Sequence, residues 1–299
     1  MNSIKKIGFI GVGNMGNPMA ANLLKGGFDV TVFDARAETA AAFVAQHGGK
    51  VAASPADVAR GADAVVTMLP NDKIVRAVML DAGGAASAMS KGAVLIDMGT
   101  CDPTGTQQTA AALEKLGLNM LDAPVMGGVV FAKDATLDIM AGGSAELVAL
   151  CTPVLKAMGR AVTHCGATGS AHAMKALANY VNACALINAI EALTIGKKFG
   201  LDVNMMAEGL ATMCAGRNHP IGKKVIPQIL THKYATGMAL GFIAKDVRIA
   251  VDVAHAIGAA APLGETVSEL WNAAAEKIGA GVDQTEIVRY WEDATGVKL

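Results

Sequence analysis

Apolar positions follow two different rhythms along this chain. Up to about residue 163, short runs rich in β-branched residues ("KIGFIGV", "DVTVFD", "AVVTMLP", "AVLIDMG", "LNMLDAPV", "TLDIMAGG") alternate with stretches of helical spacing such as "GNPMAANLLKGG" and "ETAAAFVAQHG". That alternation predicts βαβ units on a parallel sheet. From about Gly169 onward, strand-type runs stop and apolar residues recur at helical spacing, interrupted at "GRNHPIG", "HKYATG" and "AAAPLG". The expected fold is therefore an α/β Rossmann-type N-terminal domain, residues 1–164, followed by an all-α domain, residues 165–299. The glycines of "HCGATGS" mark the junction, and Ser170 is placed to cap a helix that runs to about Lys198. At 1.5 Å per residue such a helix spans about 40 Å, enough to join the two domains.

Composition narrows the class. Of 299 residues, 53% are hydrophobic and 17% charged, a balance suited to a packed interior. The formal net charge of -1 supplies no field to gather nucleic acid or anionic lipid. Basic pairs such as Lys5-Lys6, Lys197-Lys198 and Lys223-Lys224 read as solvated faces. Five cysteines, odd in number and without CxxC or zinc-ligand spacing, suggest reduced thiols in a cytoplasmic protein with no metal. The apolar stretch 176–196 is interrupted by Asn179, Asn182, Asn188 and Glu191, which favours a helix buried in protein over one in a membrane. "KKIGFIGVG" is too short an apolar run for a signal segment.

Candidate chemistry begins at "IGFIGVGNMG". Gly11, Gly13 and Gly16 fall in G-x-G-x-x-G order between an apolar run and a helical one. Gly11 permits a tight turn, Gly13 lets a pyrophosphate approach the backbone, and Gly16 lets helix pack on strand; Asn14 and Met15 belong to the same turn. Free N–H groups at the helix start then face the phosphates. The second strand ends in Asp34, whose carboxylate can accept from a ribose diol and repels a 2′-phosphate, so NAD is expected. Arg36, two residues on, keeps NADP open.

Within "SAHAMKALANYVNACALINAI" a single lysine, Lys175, interrupts an apolar helix. Burying a lone ammonium is costly unless it is paired or gives up its proton. Asn179, four residues on, shares its face and can orient the ammonium or a bound hydroxyl. A partly desolvated lysine beside a nicotinamide can take a hydroxyl proton and return it, as hydride transfer to or from an alcohol requires. A lysine snorkelling from the helix edge is the alternative. His172, one turn earlier, reads as structural.

Several motifs in order then identify a resemblance. The glycine fingerprint with "MAANL", "TMLP" at Thr67–Pro70, "DMGT" at Asp97–Thr100, "DAPVMGG" at Asp122–Gly128, "GATGSAHAMKALAN" at Gly166–Asn179 and "AKDVRIA" at Ala244–Ala250 resemble the β-hydroxyacid dehydrogenase family nearly end to end. The resemblance implies Lys175 as the catalytic lysine with Asn179 as its partner. It implies Leu69 and Pro70 along the dinucleotide, Thr100 near the nicotinamide ribose, and Lys245, next to Asp246, approaching both cofactor and substrate. It implies that the substrate carboxylate meets the loop Met126, Gly127 and Gly128. There the chain departs from the family, which usually has serine where Met126 stands. Phe131 and Ala135 replace glycines. The departures suggest either more apolar bulk around the substrate or a repacked loop, and Arg217 or His219 could supply the missing anion contact.

The activity so implied is NAD-dependent hydride transfer between a small 3-hydroxy acid and its aldehyde or keto form. Two alternatives stand beside it: an NADPH-dependent aldehyde or imine reductase, which Asp34 and Lys175 disfavour, and a non-catalytic dinucleotide-binding interaction module, which has no need of Lys175 with Asn179. Long apolar faces in "LINAIEALTIG" and "IAVDVAHAIGAAAPL" suggest a homodimer or homotetramer.

Overall fold

The six apolar runs all become strands in the computed structural model, which describes residues 3–213, 219–256, 258 and 261–299, with the backbone alone at 191–192, 194–196 and 198–199. They are β1 (Lys6–Ile10), β2 (Asp29–Phe33), β4 (Ala64–Thr67), β5 (Val94–Asp97), β6 (Asn119–Asp122) and β8 (Leu137–Gly142). Three further strands, β3 (Lys50–Val51), β7 (Val125–Met126) and β9 (Gly159–Gly166), complete the sheet. Two of them lack an apolar signature for a physical reason. β3 is two exposed residues, and β9 exposes half of its positions.

The order is β3-β2-β1-β4-β5-β6-β8-β7, with β9 paired to β8. Pairs from β3 through β6 are parallel, as expected. β8 reverses, running antiparallel to β6 and β7, because the chain returns from β7 through only a short helix, Gly128–Lys133. A parallel return needs a longer crossover. Strands covered on both faces read as continuous apolar runs. Alternate residues serve opposite layers: Phe9, Val66, Ile96 and Leu121 pack on one side with Met19 and Leu23, while Ile10, Val65, Leu95 and Met120 pack on the other with Val58 and Met79.

This first compact unit runs through Lys175 and so includes the opening turns of a long helix, Ser170–Phe199. The second unit, Ala176–Leu299, is helical. The rest of the long helix packs there with helices Val203–Met213, Leu240–Ala256, Pro262–Ile278 and Val288–Thr295, and with a wide-turn segment, Ile221–Ile229. Leu186, Ile190, Val225, Val247, Trp271 and Ile287 form its interior. No helix among the described residues is long and apolar enough to cross a membrane.

Candidate active site

The three fingerprint glycines are required for different reasons. Gly11 has φ +95°, and a Cβ there would fall 2.5 Å from the Met68 carbonyl oxygen. A Cβ on Gly16 would fall 1.8 Å from the Gly11 oxygen, so the helix Gly16–Lys25 can start only on a bare backbone. At Gly13 a Cβ would meet nothing within 4 Å. The chain itself makes no demand for glycine at this position, and the open space above it fits the close approach of a ligand. Asn14 is exposed and Met15 packs on the sheet core. Asp34 closes the cradle: its Oδ2 accepts from Val12 N at 3.0 Å and its Oδ1 from Arg36 N at 3.0 Å. The Arg36 guanidinium sits only loosely beside it, at 3.9 Å, with a largely exposed side chain.

The loops after β1, β4 and β5 adjoin one another. Gly11 lies against Leu69, and a Cβ on Gly99 would fall 2.6 Å from the Leu69 carbonyl oxygen. Leu69 and Thr100 are half-buried and Pro70 is exposed, so all three border the crevice where the strand order reverses between β1 and β4. Open α/β sheets bind ligands in such a crevice. The residues present therefore fit a dinucleotide.

Two adjacent strands, β5 and β6, end in paired aspartates, Asp97 opposite Asp122. Asp122 is fully buried and accepts from Gly169 N at 2.7 Å and from His172 N at 3.0 Å. It thereby caps the long helix from another element, a role the sequence suggested for Ser170. A carboxylate at a helix start satisfies orphan N–H groups and matches the positive dipole end. Gly142 makes room for it, since a Cβ there would fall 2.5 Å from Asp122 Oδ1. The motif that carries Asp122 gives no sign of this role, because its partners lie 47 and 50 residues away along the chain.

One turn beyond this cap sits Lys175, 8% exposed. Its ammonium donates to Met126 Sδ at 3.0 Å. A thioether is a weak acceptor, so this contact locates the charge without strongly binding it. Gly127 and Gly128 follow with φ +130° and +76°, and a Cβ on Gly127 would fall 2.7 Å from Phe131 Cβ. Phe131 fills the space beneath Gly127 and packs against the sheet core. Ala135 has φ +53°, a left-handed conformation that explains why a glycine is at home there.

In the second unit, the Asn179 amide donates to Asp246 Oδ2 at 2.5 Å, and Lys245 Nζ lies 3.0 Å from Asp246 Oδ1 without hydrogen-bond alignment. Asp246 is 1% exposed. A carboxylate can only accept, so it fixes which way the Asn179 amide faces. His219 accepts from Ile221 N at 3.3 Å on Nδ1, while Arg217 lies outside the described residues.

Fold and cradle together define a dinucleotide-binding oxidoreductase. Residues 6–166 match the NAD-binding domain family of 6-phosphogluconate dehydrogenase, and residues 169–291 match the NAD-binding family of NADP-dependent 3-hydroxyisobutyrate dehydrogenase. The chain is 35% identical to 2-(hydroxymethyl)glutarate dehydrogenase of Eubacterium barkeri, over 98% of this chain and 97% of that one. It is 34% identical to the mitochondrial 3-hydroxyisobutyrate dehydrogenase of Rattus norvegicus, over 97% and 88%. The structure of Mycobacterium tuberculosis 3-hydroxyisobutyrate dehydrogenase with L-serine superposes with a TM-score of 0.86 at 32% identity, covering 96% of this chain and 99% of that one. The chain belongs to the β-hydroxyacid dehydrogenase family and is a dehydrogenase of hydroxyl groups that uses NAD or NADP.

Proposed function

We propose that the protein oxidises the hydroxymethyl group of a 2-substituted 3-hydroxypropanoate to the aldehyde with NAD, and catalyses the reverse reduction, with Lys175 as general acid/base. The observation that carries this reading is the buried Lys175 ammonium, set by the Asp122 cap and resting on Met126. The names of the relatives support the substrate class: 3-hydroxyisobutyrate and 2-(hydroxymethyl)glutarate share a hydroxymethyl group beside a carboxylate-bearing carbon and differ in the third substituent.

Gly11, Gly13, Asn14, Met15, Gly16 and Asp34 would hold the dinucleotide, with Leu69, Pro70 and Thr100 along its path and Lys245 near the reacting end. The bound nicotinamide supplies the hydride acceptor. In oxidation Lys175 Nζ acts as the neutral amine, taking the hydroxyl proton and becoming the ammonium, and in reduction the ammonium gives that proton to the forming alkoxide; Asn179, one turn further along the same helix, orients the group that exchanges it. Gly127 and Gly128 receive the substrate carboxylate through backbone N–H groups. Met126 replaces a hydroxyl donor with an apolar thioether, which favours an apolar third substituent over a charged one. Asp34 favours NAD because a 2′-phosphate would meet its carboxylate.

Initial rates with NAD and with NADP across 3-hydroxy acids of graded substituent, beside Lys175→Ala, test the reading. General acid/base catalysis contributes about 10²- to 10⁴-fold, so kcat should fall by that factor in the variant while NAD affinity is retained. Unchanged turnover would overturn the role of Lys175. We further infer a cytoplasmic homodimer or homotetramer, supported by the exposed Leu177 and Val181 of the long helix and measurable by light scattering.

A further inference from the structure

Asp97, Cys101 and His172 converge inside the first unit, their ligand atoms all within 4.8 Å of one another. Their exposures are 1%, 0% and 0%. Sequence spacing gave no hint of this cluster, since the histidine lies some seventy positions from the other two. The dehydrogenase reading makes no use of it.

The proton positions around His172 can be worked out. Thr106 Oγ1 lies 2.7 Å from His172 Nδ1, and the same hydroxyl donates its proton to the Asp102 carbonyl oxygen at 3.0 Å. With that proton on the carbonyl, Thr106 accepts from the ring, which puts a proton on Nδ1 and leaves Nε2 as the nitrogen able to ligate an ion. Nε2 has no hydrogen-bond partner among the described residues and faces Asp97 Oδ2 at 3.9 Å. That oxygen already accepts the Cys101 thiol at 3.2 Å. The other carboxylate oxygen accepts from Thr67 Oγ1 at 2.9 Å and Gly99 N at 3.2 Å. A buried ring nitrogen without a hydrogen-bond partner thus faces a carboxylate oxygen across a gap too long for a direct bond, an arrangement that a cation between them satisfies.

We propose that Asp97 Oδ2, Cys101 Sγ and His172 Nε2 form a binding site for a divalent transition-metal ion of the zinc type. Thiolate, imidazole and carboxylate are the donors such ions take. On binding, the Cys101 thiol gives up its proton, and thiolate plus carboxylate cancel the two positive charges, leaving no net charge in the interior. Metal–donor bonds of about 2.0–2.3 Å in a tetrahedral arrangement put donor atoms about 3.3–3.7 Å apart. The two distances to Asp97 Oδ2, 3.2 Å from Cys101 Sγ and 3.9 Å from His172 Nε2, lie within about half an ångström of that spacing, and the third pair, Sγ to Nε2, lies within 4.8 Å, so the three donors close on the ion by side-chain adjustment. Thr106 on Nδ1 and Thr67 on Asp97 already supply the outer hydrogen bonds that fix ligand tautomer and orientation. The bound ion would tie the loop carrying Thr100 to the first turn of the helix that carries Lys175.

Because the ligands are buried, the metal would enter as the chain folds. The intact protein is therefore produced in zinc- or cobalt-supplemented cells and freed of loose metal by gel filtration. We expect one ion per chain by elemental analysis, with thiolate-to-cobalt charge transfer and tetrahedral ligand-field bands in the cobalt form. Cys101→Ser and His172→Gln should lose the ion and the band. Thr106→Val, which keeps all three ligands, should weaken retention against a chelator by about 10- to 100-fold with unchanged circular dichroism. Absence of metal and of the cobalt band in the native protein would overturn the site in favour of an imidazolium facing Asp97. Metal content that Cys101→Ser leaves unchanged would overturn it as well.

Discussion

The Asp122 cap makes a demanding prediction, because Asp122→Asn keeps the shape and removes one acceptor and the charge. The carboxylate holds two N–H groups, those of Gly169 and His172. An amide can accept from one of them only, and its NH2 then faces the other, donor against donor. Losing a hydrogen bond to a charged group costs about 1.5–3 kcal/mol. Losing the negative charge at the helix start costs about 0.5–1 kcal/mol more. Relief of the buried charge offsets part of this, so about 2 kcal/mol is expected, or a fall in Tm of about 4–8 °C for a unit of this size. Both tryptophans, Trp271 and Trp291, lie in the second unit. The first unit is therefore followed by far-ultraviolet circular dichroism in urea, and the helix start by hydrogen exchange in the peptide spanning 169–175. Faster exchange there, a lower urea midpoint and a kcat loss with NAD affinity retained are expected. Stability within about 0.5 kcal/mol of the native protein, with unchanged exchange, would refute the cap, since only surface changes are normally that mild.

Three further outcomes follow from other sites. Asp34→Ala removes the ribose acceptor and the brace on Val12 N, and should weaken NAD by about 10- to 100-fold while narrowing the gap to NADP, read from dissociation constants for both. Ala135→Gly relieves a left-handed alanine, and after the entropy cost of glycine should raise stability by up to about 1 kcal/mol, about 2–4 °C in a melting curve. Burial pushes the Asp283 carboxyl up, but hydrogen bonds from Thr285 and Thr236 outweigh it and leave the group below the ordinary carboxylate range. Its stabilisation is thus complete above the unfolded-state value and is lost as pH falls through the folded one. Asp283→Asn should accordingly flatten the loss of stability below about pH 4, followed by tryptophan fluorescence.

What could be read from the sequence tracks how local each signal is. Strands buried on both faces announce themselves as unbroken apolar runs, and Gly16 as a position constrained by the Gly11 carbonyl five residues earlier, whereas the Met68 carbonyl that presses on Gly11 comes from a distant strand end. Lys175 stood out because an ammonium is out of place among alanines and leucines. β3 and β9 could not be seen, since exposed edge strands carry no apolar pattern. Nor could the role of Asp122, the tie between Asn179 and Asp246, or the meeting of Cys101 with His172, because each joins residues brought together only by the fold. Phe131 shows the converse limit. Its substitution for a small residue was visible, but whether the ring faced a ligand or the core depended on the space under Gly127.

The two rims of the sheet also differ in what they tolerate. At the carboxyl ends of β5 and β6, aspartates in register clamp backbone N–H groups at 3.2 and 2.7 Å, so lengthening either following segment by a residue would pull a donor out of place. On the opposite rim, the exposed turn at Gly61 has positive φ, and a Cβ there would meet nothing within 4 Å. An inserted tag, epitope or whole domain should be accommodated at that turn, whereas the clamped rim should reject even small changes of length.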